Sequence, residues 1–227
     1  MEVKTGDIKA IANLEKRENG GYWESINFAV GESTVPGSTF KTASIMVALE
    51  DGLIDIHDSV DVKKGITYYH DVKVEDSNPT EFDKISVRRA FEVSSNVGIT
   101  KIISKNYEGR EKEFIDGLYE LGLNQKLGVE IIGEGEPFIK PPDHTDWSGV
   151  SLPMMSMGYE LTLTPLQILA FYNGIANNGV VVKPRFVKEI KYRGEKIDEI
   201  ETRILNHSLC TASTLKKIRL LLNGVVE

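Results

Sequence analysis

The sequence predicts a helix-rich α+β fold. Residues 164–176 carry apolar side chains at helical spacing, and they begin with Thr164 as a cap and Pro165 at the first helical position. Residues 39–49 are apolar around almost the whole circumference of a helix, which is typical of a buried helix. Residues 180–204 instead alternate between apolar and polar side chains, as strands do. Long helices and short strands are therefore both expected in this chain.

The other elements follow from turn residues, helix caps and glycine stops. Residues 3–14 are assigned to a hairpin because Lys4-Thr5-Gly6-Asp7 supplies a turn before a short apolar-rich strand. The helix over 39–49 is expected to end at Asp51-Gly52. In chain order, the remaining patterns predict a loop over 15–35 with one helical turn at Phe28, a surface excursion over 55–84, a helix capped by Ser86 and running through Val93, a break at 94–96, a helix over 97–103, an amphipathic helix over 111–121 that stops at Gly122, an extended loop over 124–153, strands over 180–204 with a turn at 193–195, and a last helix over 211–222.

The bulk composition excludes several classes of function. The 227 residues suit one globular domain, and 41% of them are hydrophobic, which is not the composition of a disordered chain. The net charge of -7 and the lack of a Lys/Arg cluster argue against nucleic-acid binding. The single cysteine, Cys210, cannot form an intramolecular disulfide, and the four histidines are scattered without zinc-ligand spacing. We therefore expect neither a metal nor a cofactor.

Both ends of the sequence resemble boundaries inside a longer protein. Met1 leads at once into a turn, and the last residues follow directly on an apolar helical run. No run of about 18 apolar residues occurs, so no membrane span is predicted within these residues. The N-terminal residues do not have the pattern of a signal peptide either.

Ser38 and Lys41 form the first candidate catalytic pair. A serine hydroxyl is a poor nucleophile until a base accepts its proton. At positions i and i+3 of a first helical turn the two side chains lie on one face, and burial lowers the pKa of a lysine so that it can act as that base. The helix N-terminus also offers positive potential to a developing oxyanion. The competing interpretation makes Ser38 a helix cap and Lys41 a solvated side chain, and the pair alone does not choose between them.

Residues 94–96, Ser-Ser-Asn, form the second candidate. A polar trio between two apolar helices usually costs stability. One interpretation is a helix break with local capping. The other is a loop that presents Ser94 and Asn96 into a cleft, where Ser94 could relay a proton and Asn96 could bind a substrate amide.

Other candidate motifs favour structural interpretations. Ser213 and Lys216 repeat the spacing of Ser38 and Lys41, but they lie inside an amphipathic helix without supporting context. The sequence has no phosphate-binding P-loop, no dinucleotide fingerprint and no Gly-x-Ser-x-Gly elbow. These absences argue against nucleotide-binding enzymes and α/β-hydrolases.

Taken together and in this order, the motifs resemble the transpeptidase domain of class B penicillin-binding proteins. Residues 36–41, Pro-Gly-Ser-Thr-Phe-Lys, are similar to the active-site helix entry of that family, and residues 94–98, Ser-Ser-Asn-Val-Gly, to its second motif. The resemblance covers residues 1–227, which we assign to one transpeptidase domain, incomplete at both ends and of the FtsI type rather than the elongation type. Further similar segments are the opening hairpin at 5–10, the Gly-x-Gly…Thr-Pro-Leu-Gln segment at 158–167, its continuation at 175–179 and 183–184, and the lead towards the third motif at 224–226.

The resemblance implies a penicillin-binding protein/β-lactamase-like fold, with an antiparallel sheet that is incomplete in this chain, and an acyl-serine mechanism. Ser38 would attack the D-Ala-D-Ala carbonyl of a stem peptide, and Lys41 would accept its proton. Ser94 would help to pass the proton to the leaving D-Ala, and Asn96 would bind the peptide amide. An amine from a neighbouring stem peptide would resolve the acyl-enzyme into a cross-link, and β-lactams would acylate the same serine. Ser38 and Asn96 are thus also the expected substrate-binding residues.

Two departures from the family pattern carry expectations of their own. Glu160 stands where many relatives have glycine. The sequence also ends before the family's Lys-Thr/Ser-Gly strand, which binds the substrate carboxylate and supplies one oxyanion N–H, while the N–H of Ser38 supplies the other. Losing one oxyanion donor typically costs about 10²–10³ in rate, so we expect these 227 residues alone to be inactive or weakly active.

Two further matches to this superfamily are out of place. Lys4-Thr5-Gly6 has the residues of the missing strand but precedes both other motifs, and it has ordinary turn chemistry. Residues 120–124 imitate a deacylation element of class A β-lactamases, but Glu120 ends an amphipathic helix and Gly122 reads as its stop. We interpret both as structural.

The resemblance also implies a location and partners. The parent protein would be anchored in the inner membrane with this domain in the periplasm. Its expected partners are peptidoglycan stem peptides, β-lactam antibiotics, a lipid-II polymerase of the membrane and division proteins, with no nucleic acid. Two rival functions stay open: a serine β-lactamase or D,D-carboxypeptidase would hydrolyse the acyl-enzyme, and a β-lactam sensor would never release it.

Overall fold

The computed structural model describes residues 1–79 and 81–226, and it combines α-helices with short antiparallel strands. Thr80 and Glu227 lie outside the described residues. The chain divides into two compact units. The first consists of Met1–Thr34, Gly122–Pro137 and Leu163–Leu209, and the second of Val35–Leu121, Phe138–Thr162 and Cys210–Glu227. Of the helices described, none is both long and apolar enough to cross a membrane.

The strands pair only two at a time among the described residues, and every pair is antiparallel. The pairs are β1 with β2, β3 with β6, β4 with β5, β7 with β8, β9 with β12 and β10 with β11. The helices are α1 (Phe28–Gly31), α2 (Lys41–Glu50), α3 (Val87–Glu92), α4 (Asn96–Tyr107), α5 (Glu111–Glu120), α6 (Ser151–Ser156), α7 (Pro165–Ala176) and α8 (Ala212–Val226), with 3-10 helices at Gly37–Phe40 and Lys63–Gly65. The strands are β1 (Glu15–Lys16), β2 (Tyr22–Trp23), β3 (Ser59–Asp61), β4 (Ile66–Tyr69), β5 (Val72–Glu75), β6 (Lys84–Ser86), β7 (Phe138–Ile139), β8 (Leu161–Thr162), β9 (Val181–Val182), β10 (Glu189–Tyr192), β11 (Glu195–Glu199) and β12 (Ile204–Asn206).

Helix α7 organises the first unit. Its start is the one that the sequence predicts, because the side chain of Thr164 accepts the backbone N–H of Gln167 at 3.1 Å and the side chain of Gln167 accepts the backbone N–H of Thr164 at 2.8 Å. This reciprocal capping box satisfies two backbone donors that a helix N-terminus leaves unpaired. The apolar face of α7 contributes to a small core of Val30, Leu127, Leu166 and Ala170.

The N-terminal residues form the predicted turn but not the predicted hairpin. After the turn the chain pairs with a distant segment: the N–H of Ile8 donates to the carbonyl of Arg185 at 3.0 Å, and the N–H of Arg185 donates to the carbonyl of Gly6 at 2.8 Å. The guanidinium of Arg185 also donates to Asp7 Oδ1 at 2.6 Å. The hairpin prediction is wrong because local turn chemistry carries no information about this long-range partner.

Helix α2 is the core of the second unit and is buried at every residue except Glu50. The 3-10 helix Gly37–Phe40 leads directly into it, and α4, α5 and α8 pack around it. Gly117 allows α5 to approach closely, since a Cβ at that position would lie 2.5 Å from the side chain of Val47. The prediction of a buried helix over residues 39–49 is therefore confirmed, and Gly52 follows its end at φ +67.

The segment over residues 55–84 is more regular than the sequence predicts. Most of its residues are exposed, as expected of a surface excursion, but it contains the three strands β3 to β5 and the first residue of β6. Three valines of this segment, Val60, Val62 and Val74, point inward and are buried. These strands have only three or four residues each, which is too short for a clear alternating pattern in the sequence.

The remaining helices lie close to their predicted positions. Ser86 caps α3 as expected, because its Oγ accepts the N–H of Arg89 at 3.0 Å. Helix α5 ends just before Gly122, and α8 extends the predicted last helix to Val226. The two predicted loops over 15–35 and 124–153 are largely loops, although short strands lie within them and helix α6 begins at Ser151.

Candidate active site

Ser38 and Lys41 lie on the 3-10 turn that leads into α2. The carbonyl of Ser38 accepts the backbone N–H of Lys41, which places the two residues at positions i and i+3 of that turn. Side chains at i and i+3 of a 3-10 helix project from the same side. Ser38 is exposed, whereas Lys41 is only 3% exposed. The turn therefore presents an accessible hydroxyl and a buried amine on one side of the chain.

The amine of Lys41 contacts the second motif through three oxygens. Its Nζ donates to the carbonyl of Ser94 at 2.8 Å, to Oγ of Ser94 at 3.0 Å and to Oδ1 of Asn96 at 2.6 Å. All three acceptors are neutral groups. The structure thus brings together Lys41, Ser94 and Asn96, which the sequence singled out in two separate motifs.

Burial tunes the proton affinity of Lys41. Removal from water disfavours the charged ammonium and lowers the pKa of Lys41 from its ordinary value of 10.5 to about 8, against the opposing effect of the Asp76 carboxylate. A lysine with this pKa is partly neutral near physiological pH. It can therefore accept a proton, which an ordinary surface lysine rarely does.

Ser94 occupies a position that usually belongs to glycine. At the end of α3, the N–H of Ser95 donates to the carbonyl of Ala90 at 2.8 Å and the N–H of Ser94 donates to that of Phe91 at 2.9 Å. These are the two hydrogen bonds of a Schellman motif, whose left-handed residue is most often glycine. Ser94 adopts that conformation at φ +54. This conformation strains the backbone by about 1 kcal/mol or more, and it places the hydroxyl and the carbonyl of Ser94 together against Lys41.

Ser95 and Asn96 begin α4 immediately after this turn. Oγ of Ser95 accepts the N–H of Gly98 at 2.8 Å and so caps the helix. The side-chain amide of Asn96 has a fixed orientation, because its Nδ2 donates to the carbonyl of Glu75 at 2.8 Å while its Oδ1 accepts from Lys41. The break between helices is therefore both a capping site, as the structural interpretation predicts, and a polar cluster around Lys41.

Gly158 supports the backbone next to Ser38. The N–H of Gly37 donates to the carbonyl of Gly158 at 3.2 Å. Gly158 has φ +88, and a Cβ at this position would lie 2.1 Å from the carbonyl oxygen of Gly37. No other residue fits without moving the turn that carries Ser38. This close approach explains why the sequence has glycine here.

The departure at Glu160 has a local explanation. Glu160 has φ +56, a conformation that glycine adopts without cost and that strains other residues. Its carboxylate pairs with Lys140 at 2.8 Å, and both side chains are largely buried. The ion pair offsets part of the backbone strain.

Sequence reasoning missed the contribution of β5 and Asp76. Asp76 follows β5 and is 4% exposed, and its carboxylate contacts the first turn of α4. No motif marks it, because the sequence around it has only the pattern of a polar surface segment. A buried aspartate could not be distinguished there from its exposed acidic neighbours.

The motifs interpreted as structural occupy ordinary helix and turn positions. Ser213 is exposed within α8, Lys4-Thr5-Gly6 lies in a turn, and Glu120 ends α5. In residues 1–79 and 81–226, no group of three or more His, Cys, Asp or Glu side chains is arranged to hold a metal ion.

Residues 1–227 match the family described as the penicillin binding protein transpeptidase domain. The chain belongs to this family. Among curated relatives, it is 30% identical to the penicillin-binding protein PbpB of Mycobacterium tuberculosis, an alignment that covers 100% of this chain and 33% of that protein. It is 29% identical to the peptidoglycan D,D-transpeptidase FtsI of Buchnera aphidicola subsp. Schizaphis graminum, over 79% of this chain and 31% of that protein. This transpeptidase chain thus spans about a third of the length of these relatives.

Solved structures confirm the predicted fold class. A crystal structure of penicillin-binding protein 3 from Mycobacterium tuberculosis, complexed with aztreonam, is 29% identical with a TM-score of 0.73, over 88% of this chain and 43% of that chain. The transpeptidase domain of penicillin-binding protein 3 from Burkholderia pseudomallei has the same fold at 20% identity, with a TM-score of 0.77 over 100% of this chain and 61% of that chain. The α+β transpeptidase fold and the family predicted from the motifs are therefore both confirmed.

Proposed function

We propose that this chain carries the acyl-serine centre of a peptidoglycan D,D-transpeptidase. The observation that carries the proposal is the convergence of Lys41 on Ser94 and Asn96, beside a turn that exposes Ser38 on the same side as Lys41. A nucleophile, a base of lowered pKa and a fixed amide are the parts that acyl transfer requires.

The first half-reaction forms an ester with the donor stem peptide. Oγ of Ser38 attacks the carbonyl carbon of the penultimate D-Ala, and its proton goes to the neutral amine of Lys41. The tetrahedral oxyanion lies near the N–H groups at the start of the helix that leads from Gly37 into α2, where the helix dipole favours negative charge. The C–N bond then breaks, and the terminal D-Ala leaves as an amine after taking up a proton.

Ser94 is suited to carry that proton. An ammonium donates three hydrogen bonds, and Lys41 has three acceptors around it. A neutral amine donates only two and offers a lone pair, so one contact must reverse. The Ser94 carbonyl cannot donate, and Asn96 keeps its oxygen towards Lys41 because its Nδ2 is bound to the Glu75 carbonyl. The Ser94 hydroxyl can reverse its direction, and we assign it the transfer between Lys41 and the leaving amine.

The second half-reaction distinguishes a transpeptidase from its rivals. An amine of a neighbouring stem peptide attacks the ester carbonyl and the new C–N bond forms. The ester bond between the acyl carbon and Oγ of Ser38 breaks, and Oγ recovers a proton in place of the one that the amine loses. A β-lactam opens on the same serine and leaves no amine that diffuses away, so its ester persists. Aztreonam bound to the 29% identical penicillin-binding protein 3 supports β-lactams as ligands of this site.

The names of the relatives support the cellular role. We infer that the parent protein is anchored in the inner membrane, that this region works in the periplasm on stem peptides, and that it serves septal synthesis together with a lipid-II polymerase and division proteins. The FtsI name of one relative supports the septal branch.

The experiment that tests the proposal compares acyl transfer with hydrolysis. A peptide ending in D-Ala-D-Ala is incubated with an excess of an amine acceptor and with the chain extended at its C-terminus by the Lys-Thr-Gly segment of a relative. We expect a cross-linked product that is lost with Ser38→Ala and retained with Ser213→Ala, which removes the serine of the second Ser-x-x-Lys pair. Hydrolysed peptide without cross-link would favour a carboxypeptidase or β-lactamase, and no product despite stable penicillin labelling would favour a sensor.

A further inference from the structure

We propose that Asp76 is a positioning residue that fixes the Ser94–Asn96 turn and supplies the counter-charge for Lys41. The inference rests on the proposed function, since it concerns the base of that same site. Asp76 itself contacts neither Ser38 nor Lys41 through a hydrogen bond described for this structure. It would act through the second motif and through its electric field.

The Asp76 carboxylate uses both oxygens on the first turn of α4. Oδ2 accepts the hydroxyl of Ser95 at 2.7 Å, and Oδ1 accepts the backbone N–H of Val97 at 2.8 Å. Ser95 is 1% exposed and Asp76 4% exposed, so both bonds are shielded from water. Hydrogen bonds to a buried carboxylate are among the strong ones. They lock residues on either side of Asn96.

The backbone around Asp76 is fixed as well. The N–H of Asp76 donates to the carbonyl of Gly65 at 2.9 Å. The preceding carbonyl, that of Glu75, accepts the amide of Asn96. Two consecutive residues at the end of β5 thus bind three consecutive residues of the second motif, Ser95, Asn96 and Val97. We call these contacts of Glu75 and Asp76 with residues 95–97 the clamp. The strained Ser94 directly precedes residues 95–97, so the clamp is placed to maintain the left-handed conformation of Ser94.

The charge of Asp76 matters because the direct partners of Lys41 are neutral. The Ser94 oxygens and Asn96 Oδ1 carry no net charge. Among the described groups, including those on α4, α5 and α8 around α2, Asp76 is the charged one that acts on Lys41, and it favours the ammonium. The carboxylate of the neighbouring Glu75 is 55% exposed and pairs with Lys73. Asp76 therefore opposes burial and keeps the pKa of Lys41 from falling further.

The alternative is a purely structural role, in which Asp76 only caps α4. A cap stabilises the fold and leaves the proton affinity of Lys41 unchanged. The two roles separate in a pair of variants, one that removes the charge of Asp76 and one that keeps it. Asp76→Asn keeps the size of the side chain and removes the charge. Ser95→Ala keeps the charge and removes the two hydrogen bonds of Ser95 Oγ, the one that it donates to Asp76 and the one that it accepts from the N–H of Gly98.

The test is an NMR titration of Lys41 in the 227-residue chain labelled at lysine Cε, with the signal assigned by its loss in Lys41→Ala. We expect Asp76→Asn to lower the pKa of Lys41 detectably below about 8. The matched control is Asp71→Asn, which removes one negative charge from the exposed turn between β4 and β5 and should leave Lys41 unchanged. Ser95→Ala should leave the pKa of Lys41 close to that of the parent chain but accelerate hydrogen exchange of the Val97 amide.

Penicillin labelling supplies the second readout. In the extended chain described above, we expect Asp76→Asn to slow Ser38 labelling at pH 8 by about tenfold, the factor typical for losing one strong hydrogen bond, and to shift the lower limb of the pH profile towards acid. A folded Asp76→Asn variant with unchanged Lys41 titration overturns the inference. If Asp76→Asn does not fold, unchanged Val97 exchange in Ser95→Ala overturns the clamp. Failure of the parent chain to be labelled counts against the proposed function instead, since the titration needs no β-lactam.

Discussion

The rate of Ser38 acylation should depend on pH through Lys41. Burial lowers the pKa of Lys41 from 10.5 to about 8. At pH 7 this raises the neutral fraction of the amine from roughly 3 in 10,000 to roughly 1 in 11, an increase of about 300-fold. Only the neutral amine can accept the proton of Ser38. The rate should therefore rise with pH, by nearly 100-fold between pH 6 and pH 9, and level off above pH 8.

The assay is the second-order rate constant for labelling by a fluorescent penicillin, measured from pH 6 to pH 9 on the extended chain. Lys41→Arg keeps the positive charge but cannot supply a neutral base, because arginine stays protonated in this range. We expect that variant to be labelled at least 100-fold more slowly at pH 8. Lys101→Arg is the matched control, since Lys101 is a partly buried lysine of the same unit that pairs with Asp61 and should tolerate the change.

Two results would refute this reasoning. A rate that stays constant from pH 6 to pH 8 would show that no group of pKa about 8 controls the attack. A direct NMR titration that places the pKa of Lys41 near 10.5 would show that burial does not tune the amine.

Substitutions at Ser94, Gly158 and Thr164 test the structure around the site and the first unit. Ser94→Gly should raise the free energy of unfolding by up to about 1 kcal/mol, because glycine adopts the left-handed conformation at φ +54 without strain. Both Ser94→Gly and Ser94→Ala should slow penicillin labelling through loss of the hydroxyl, but Ser94→Ala should not stabilise the chain. Equal stability of the two variants by thermal melting would contradict the strain argument. Gly158→Ala should lower the free energy of unfolding by about 2 kcal/mol or more and suppress labelling, since its Cβ would lie 2.1 Å from the Gly37 carbonyl oxygen. The control is Gly52→Ala, because Gly52 has φ +67 but no atom within 4 Å of an added Cβ. This variant should lower the free energy of unfolding by only about 1 kcal/mol and leave labelling intact. Thr164→Ala should cost about 1 kcal/mol in denaturant unfolding through loss of the α7 cap, and no measurable cost would mean that the capping box is not an important contact.

The sequence predicts the helical part of the fold well because its signals are local. The caps at Thr164 and Ser86 and the stop at Gly122 each use a residue directly next to the helix that it begins or ends. The strands of residues 55–84 and the pairing of Ile8 with Arg185 depend on partners far along the chain. Their sequence signal is therefore weak, and the prediction fails there.

In the candidate site too, features with a local sequence signal are predicted, and features that depend on distant contacts are not. Ser38, Lys41, Ser94 and Asn96 stand in two short motifs, and the polar break at 94–96 is visible because it interrupts two apolar helices. The left-handed conformation of Ser94, which turns its oxygens towards Lys41, cannot be predicted from the sequence, since glycine is the residue usually found at this position of a Schellman turn. Asp76 is also hidden, because its importance lies in burial and in contacts with Ser95 and Val97. Such conflicts between local preference and structure are expected at functional sites.

Ser38 is the acylated nucleophile of the proposed mechanism, and intact mass after incubation with a penicillin is the test of that assignment. The measurement is made on the 227-residue chain, on the version extended by a Lys-Thr-Gly segment, and on each with Ser38→Ala. We predict a stable adduct of one penicillin on the extended chain that disappears with Ser38→Ala, and any difference between the two lengths measures what the added strand contributes. An adduct that survives Ser38→Ala, or no adduct on either length, would contradict the assignment and leave Ser38 as an exposed residue of the 3-10 turn before α2 and nothing more.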